Sequence, residues 1–548
     1  MTMRAAYFFR STGRACLVSC TMLLALLPAA RQVSAQELAS SERACAALAD
    51  ASFAGIEDAP SQMTHAEATT SKTSSGSPVQ VCRVDGYVAP QVGFSLVLPL
   101  RQQGWNHRFI ELGCGGHCGM IAAEMCAKPV SGGYACIVTD TGHKGTGGDG
   151  VWALDNLQAK VDWGYRAPHV IAIAGKAITR RFYGVGAAHS YFMGCSTGGR
   201  EALQEAQRFP YDFDGIIAGS PPIRLSDLYI MFAWGARVTH ASDGKPILSL
   251  QDLQLLNRAA VAACDKGDGL KDGIIGRPDS CRFSPKELLC SRSRSKGCLT
   301  AAQVQAAELI YQGPTTSNGR VLFPGAYPGS EFNPEVSNPA EGNWNASYIS
   351  VAGYMPLMQE AFRYFYFDEN PSPGWTYGNF RFDEDYKRMG VMEALVDSSN
   401  PDLSRFRDAG GKLLMYEGTH DNSVLPRFVI DYYEKVEAVM GGPRKAREFA
   451  RLFVLPGVEH CAGGVGAGTI DYMGAMENWV ERGLPPDRLI AYHLKDHGPL
   501  TMSSLWPEFP LNPQEIAFSR PVFPYPLRAR YRGSGNSNEA SSFAPAEN

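Results

Sequence analysis

The chain has no basic excess: 51 Lys and Arg stand against 55 Asp and Glu, a formal charge of −4. Nothing therefore recommends nucleic acid or an anionic membrane surface as a partner. Beyond residue 30 it lacks any apolar run near the ~20 residues a membrane helix needs, so the mature chain is expected to span no membrane. It also lacks EF-hand spacing, and no cysteine set has the spacing of a zinc ribbon. Charge is sparse at 19%, against 45% hydrophobic and 10% aromatic residues, which excludes disorder. A chain of 548 residues can bury one large core and a second, smaller one.

What is present begins with an export signal over residues 1–35. Arg4, Arg10 and Arg14 precede the apolar run Met22 to Ala30, and Val33-Ser34-Ala35 offers a small-residue cleavage site. A secreted or periplasmic protein is predicted. Leu17-Val18-Ser19-Cys20 superficially resembles a lipoprotein box, but its apolar run follows Cys20 where lipidation needs it before. Removing Cys16 and Cys20 from the 14 cysteines leaves an even dozen, which in an oxidising compartment points to disulfides.

The stretch that organises the rest is Tyr191-Phe192-Met193-Gly194-Cys195-Ser196-Thr197-Gly198-Gly199-Arg200. An apolar strand runs into Gly-x-Ser-x-Gly and then a helix, Gly199 to Phe209, with Ala202, Leu203 and Ala206 on one face. This is a nucleophile elbow, in which Ser196 occupies a sharp turn and strand and helix pass close beside Gly194 and Gly198. Earlier, Gly113-Cys114-Gly115-Gly116-His117-Cys118-Gly119 follows the strand Arg108 to Leu112. An α/β hydrolase keeps half of its oxyanion hole in such a loop, so amides near Gly113 and Cys114, with that of Thr197, are the expected donors. A disulfide-stapled turn is the alternative. Cys114, Cys118, Cys126 and Cys136 are read as two disulfides of undetermined pairing. Asp140 and His143 precede the serine, whereas this fold delivers its acid and base after it, so substrate-side or structural roles are expected for them.

Apolar spacing predicts a helix over Ala167–Tyr183, and Val92 to Leu98, Tyr134 to Thr139 and Phe213 to Ser220 read as strands or strand ends. This alternation predicts a mostly parallel sheet. It lapses from Pro222 to Leu403, where aromatics, prolines and glycines concentrate, as in an inserted lid. Lid aromatics such as Tyr354, Phe362, Tyr364, Tyr366 and Trp375 suit either a ring-binding pocket or packing.

Within the lid, Asp265, Asp268 and Asp272 are interleaved with glycines, and Leu270 and Ile274 can add carbonyl oxygens; the set suits Ca²⁺, with a solvated acidic turn as the alternative. Cys264 with Cys281 and Cys290 with Cys298 would close the flanking loops, and Cys45 with Cys82 the N-terminal segment.

The sheet resumes at Gly411 to Gly418, followed by Asp421, and at Arg451 to Leu455, followed by His460. The order Ser196, Asp421, His460, each just past a strand, is that of an α/β-hydrolase triad of nucleophile, acid and base. Cys195 precedes the serine and Cys461 follows the histidine, so a disulfide between them is predicted if the two meet. The expected organisation is an α/β-hydrolase fold split by its lid: signal 1–35, hydrolase 36–221, lid with calcium loop 222–403, hydrolase 404–510 and C-terminal tail 511–548.

The elbow Gly-Cys-Ser-Thr-Gly-Gly-Arg-Glu, the Gly-x-x-His-Cys-x-Gly-Gly around His460 and the Asp-rich loop together resemble the tannase and feruloyl esterase family over essentially the whole mature chain. The resemblance implies a serine esterase for small aromatic esters of hydroxycinnamic or gallic type. It implies the triad Ser196, Asp421 and His460, and structural calcium on Asp265, Asp268, Leu270, Asp272 and Ile274. Terephthalate monoesters are the alternative substrate class. Thr197 after the serine matches feruloyl esterases and tannases, where the terephthalate type has glutamate. Phe523 and Pro545 stand where relatives can carry a further cysteine pair. A calcium-stabilised binding protein without turnover is the rival from another class, and peptidase or lipase the rival among enzymes. Oligomeric state is not specified.

Overall fold

The computed structural model describes residues 35–547, apart from 73–75, 101–103, 336–342, 352, 497–506 and 508. The expected export signal falls outside the described residues except for Ala35, which opens the helix Ala35–Ala46. Nine strands form the main sheet: β1 Ser61–Lys72, β2 Pro78–Val88, β3 Val92–Pro99, β4 Arg108–Leu112, β5 Ala135–Thr139, β6 His189–Cys195, β7 Gly215–Gly219, β8 Lys412–Gly418 and β9 Ala450–Leu455. Their spatial order is β1-β2-β3-β5-β4-β6-β7-β8-β9. The pairs up to β3/β5 are antiparallel and all later ones parallel. The chain thus has the α/β fold expected, with a mixed sheet that is mostly parallel.

The central strands are short and apolar because both faces are covered. Phe109, Ile137, Phe192, Ile216, Leu413 and Leu452 belong to one buried cluster, and their neighbours Ile110, Cys136, Tyr191, Ile217, Leu414 and Phe453 to another. Successive side chains of a strand point to opposite faces, so two cores sandwich one sheet. The helix Ala167–Tyr183 lies where the apolar spacing placed it, and Gly184 ends it in the left-handed conformation at φ 80°. The elbow helix runs Thr197–Arg208, two residues earlier than its pattern suggested, because Gly198 and Gly199 are drawn into its first turn.

Between β7 and β8 the described residues contribute helices, among them Leu225–Thr239, Leu250–Cys264, Ala301–Gln312 and Met355–Tyr364, and no strand of the sheet. This segment reaches the C-terminal ends of the strands: Tyr348 donates from its hydroxyl to the Asn422 carbonyl (3.0 Å), and Asn422 donates to that of Ser330 (2.9 Å). The stretch read as a tail is tied in as well. Its strand Ile516–Val522 pairs with Leu489–Leu494, and the Tyr525 amide donates to Leu452 O in β9.

Among the described residues there are six disulfides: Cys45–Cys82, Cys114–Cys118, Cys126–Cys136, Cys195–Cys461, Cys264–Cys281 and Cys290–Cys298. The pairing left open for the four cysteines after β4 is thereby given.

A Cβ on Gly194 would lie 2.4 Å from the carbonyl carbon and oxygen of Gly198, a distance only a backbone shift can relieve. Gly194→Ala is expected to destabilise the fold by about 1–3 kcal/mol, as overpacking does. Urea unfolding of the purified variant, with its midpoint compared with the parent, checks this.

Candidate active site

The parallel run β6–β9 brings the ends that follow β6, β8 and β9 to one edge of the sheet, where open parallel sheets gather their ligands. At the first of them Ser196 has φ 61° and ψ −125°, a conformation costly for any residue with a Cβ. It is held from both sides: its amide donates to Gly219 O (3.0 Å) and its carbonyl accepts from the Arg200 amide (3.0 Å). Half-exposed, it stands at the head of a helix whose next four residues are buried.

Asp421 and His460 meet. His460 Nδ1 lies 2.6 Å from Asp421 Oδ2, and Asp421 Oδ1 accepts the amides of Ser423 and Val424, each at 2.8 Å. The Asp421 carboxylate is closed to water while the ring stays 21% exposed, an arrangement that fixes the imidazole yet leaves its other face open. Cys195–Cys461 joins the residue before Ser196 to the residue after His460, with a Cα–Cα distance of 5.8 Å. Serine and histidine are therefore neighbours through a covalent strap. Ser196 makes no side-chain bond to its own helix, which leaves the hydroxyl unengaged there.

The glycine loop is stitched to the first turn of the elbow helix. The Gly198 amide donates to Cys114 O (2.8 Å), and Thr197 Oγ1 donates to Gly116 O (2.6 Å). One expectation is corrected here: the Cys114 amide donates to Glu201 Oε2 at 3.1 Å, and that of Gly113 to Met193 O at 3.0 Å, so neither is free for an oxyanion. A buried carboxylate within reach of an amide outcompetes a transient ligand for it. Among the described residues the amides of Gly115, Gly116 and Gly119 have no protein acceptor, and the first two lie next to the elbow contacts of Cys114 and Gly116.

The tannase and feruloyl esterase family model matches residues 77–546. The chain belongs to that family. The mono(2-hydroxyethyl) terephthalate hydrolase of Piscinibacter sakaiensis is 32% identical, the alignment covering 88% of this chain and 87% of the relative. A probable feruloyl esterase of Arthroderma benhamiae is 31% identical over 84% and 83% of the two chains. The crystal structure of feruloyl esterase B from Aspergillus oryzae superposes with a TM-score of 0.77 at 26% identity, covering 91% of this chain and all of that one. The protein is a carboxylic ester hydrolase.

Several residues around the site of this esterase had no signal in the sequence. Glu417, fully buried at the end of β8, accepts from the Gly418 amide (2.9 Å) and the Ser220 hydroxyl (3.4 Å). Burial, with the Asp421 charge beside it, pushes its carboxyl well above the usual range. Arg200 is also fully buried and donates to the carbonyls of Trp163 (2.9 Å) and Gly164 (2.5 Å) with its guanidinium over the Trp163 ring, locking the elbow helix in place.

Asp140 takes a structural role, accepting the amides of Gly93 and Gly142 and the Lys144 ammonium. His143 stacks on Trp152 at 4.0 Å. Among the lid aromatics, Phe362 and Tyr366 are fully buried and pack with Phe367, Trp375 and Phe380, so they form core and no pocket. Tyr354 is different. Half-buried, it stacks on Phe232 and lies beside Ser423 near the Asp421 charge.

The Asp-rich loop folds back on itself. Asp265 accepts the amides of Asp272 and Gly273, Asp268 that of Leu270, and Asp272 that of Ile274 while its other oxygen pairs with Arg520 at 2.7 Å. Burial together with the charges of Asp272 and Asp265 pushes Asp268 up to about 6. The carboxylates of Asp265, Asp268 and Asp272, all carried by one turn, offer the oxygen ligands that a hard cation takes.

Burial pushes Glu201 up to about 7 against an ordinary 4.5, despite the Arg200 charge and the Cys114 amide. The sign follows directly. Between pH 4.5 and about 7 the folded protein holds this proton and the unfolded chain releases it, so the folded state is favoured at the acid end and loses that advantage as pH rises. Glu201→Gln, which does not ionise, is expected to flatten this part of the stability curve, measured by urea unfolding between about pH 5 and 8.

Replacing Cys195 and Cys461 together by serine opens a 266-residue separation. The loss is expected to reach about 5 kcal/mol in the chain-entropy model, read as a lower denaturation midpoint.

Proposed function

We propose that this esterase is exported and cleaves esters of aromatic acids, of hydroxycinnamic or gallic type, through an acyl-enzyme on Ser196. His460, oriented by Asp421, takes the serine proton as Oγ attacks the ester carbonyl, then delivers it to the departing alcohol. The amide of Thr197, with Gly115 or Gly116, stabilises the negative oxygen that forms. Water, activated by the same histidine, then releases the free acid. The observation that carries this reading is the 2.6 Å contact between His460 and Asp421, with the neighbouring Cys461 bonded to the residue before Ser196.

The substrate class rests on kinship: the matching family is that of tannase and feruloyl esterase, and the fungal relatives carry feruloyl esterase names. The bacterial relative at 32% identity, named for a terephthalate monoester, supports a second reading in which the acid is terephthalic. Thr197 at the elbow favours the first. The twelve cysteines in disulfides support export, since such bonds persist in oxidising compartments.

Calcium belongs to this proposal as a structural ion on Asp265, Asp268 and Asp272, with the carbonyls of Leu270 and Ile274. When bound, it neutralises the gathered carboxylates and supplies no step of the reaction. Its loop nonetheless borders the site: a Cβ on Gly457, just past β9, would lie 3.2 Å from the Ile274 side chain.

Steady-state hydrolysis of methyl ferulate, methyl gallate and mono(2-hydroxyethyl) terephthalate separates the readings. At least one of the first two is expected to turn over fastest, with Ser196→Ala and Asp421→Asn reducing kcat by about 10⁴-fold or more. A preference for the terephthalate ester would select the second reading, and full activity in Ser196→Ala would sink the triad. Chelation with EGTA is expected to lower Tm in the parent and not in Asp268→Asn, with added Ca²⁺ restoring the parent.

A further inference from the structure

On the far side of the elbow helix from the site, a second constellation of ligand-bearing side chains is assembled from three places in the chain. His169 lies in the first turn of the helix Ala167–Tyr183, Glu205 near the end of Thr197–Arg208, and Asp212 in the turn that leads to β7. One nitrogen and two carboxylate oxygens from these residues all lie within 4.8 Å of one another. His169 Nδ1 is 2.5 Å from Asp212 Oδ2, and the His169 ring is fixed by stacking on Phe209 at 3.7 Å.

The floor of this group is the unusual part. Glu205 is fully buried, and no amide, hydroxyl or cationic donor reaches its carboxylate oxygens, which have only the Asp212 carboxyl to share a proton with. Glu111 in β4, also buried, presents a second such oxygen, Oε2. A carboxylate closed to water and left without a donor loses several kcal/mol of solvation, unless a proton or a cation compensates it. Burial, with the charges of Asp212 and Glu111 beside it, pushes the Glu205 carboxyl well above the usual range. The buried Lys176 ammonium offsets this charge only in part. Lys176 donates to the Asp212 backbone carbonyl and sits 4.8 Å from the Phe213 ring centre, and it forms no ion pair with these carboxylates among the described residues.

We propose that His169, Glu205 and Asp212 bind a divalent transition-metal cation of the Zn²⁺ class. One imidazole and two carboxylates are a donor set for such an ion. Ligands held about 2.0–2.2 Å from one tetrahedral ion stand about 3.3–3.6 Å apart, so binding opens the 2.5 Å contact of His169 with Asp212 by about 1 Å and draws Glu205 in by at most about 1.5 Å. The side chains of His169 and Asp212 are 18% and 14% exposed, which leaves a mouth to solvent above the buried glutamate and room for water as the remaining ligand. The ion would take the place of the protons now shared within the group. It would clasp the helix that begins at Ser196 to the helix before it, a structural role separate from the calcium loop.

The test is isothermal titration of the full mature protein with Zn²⁺ in saturating Ca²⁺, alongside His169→Ala and Glu205→Gln. One equivalent is expected to bind to the parent, and at least tenfold more weakly to either variant. Zinc-soaked crystals are expected to give an anomalous peak between the three side chains. His169 is partly exposed, so its variant should fold even if the Glu205 variant does not. Absence of binding to the parent, or equal binding to the parent and His169→Ala, would overturn the proposal.

Discussion

Three backbones cross at one point, and the rest of the molecule is arranged to permit it. The end of β6, the first turn of the elbow helix and the glycine loop after β4 approach so closely that a Cβ on Gly113 would lie 2.5 Å from Gly198 Cα. The same approach turns Ser196 into its costly conformation and draws Thr197 and Gly198 onto the carbonyls of the loop. Buried Arg200 and Glu201, one anchoring the carbonyls at 163–164 and the other the Cys114 amide, brace the crossing from opposite sides. Strain at a functional residue persists only where its surroundings over-determine it, and here they do so with backbone hydrogen bonds and the buried side chains of Arg200 and Glu201.

Much of this was legible in the sequence because the signals were local. Gly-x-Ser-x-Gly after an apolar strand announces a turn that few other residues can make, and the apolar spacing of 167–183 gave a helix with its true limits. The chain order of Ser196, Asp421 and His460 is topological information, and a parallel sheet converts that order into proximity. The cysteines beside serine and histidine worked the same way: adjacency in sequence became a bridge once their partners met.

What stayed hidden was pairwise and non-local. Nothing in the glycine loop says that Cys114 gives its amide to a glutamate 87 residues later, which takes that amide out of the expected oxyanion set. Glu417 reads in the sequence as one more charged residue at a strand end; only burial beside Asp421 raises its carboxyl. The lid aromatics failed for a related reason. Composition cannot separate a ring that packs on other rings, as Phe362 does, from one that borders the acid loop, as Tyr354 does.

The bridge between Cys195 and Cys461 closes a covalent ring that contains the whole segment between β7 and β8. A protease that nicks an exposed lid loop, such as the one around Ser372 to Gly374, would convert the chain into two polypeptides that remain one molecule. Such a species would migrate as intact protein until reduced. Proteases cut surface loops first, and this topology lets the segment between β7 and β8 be clipped without parting the strand that carries the serine from the one that carries the histidine.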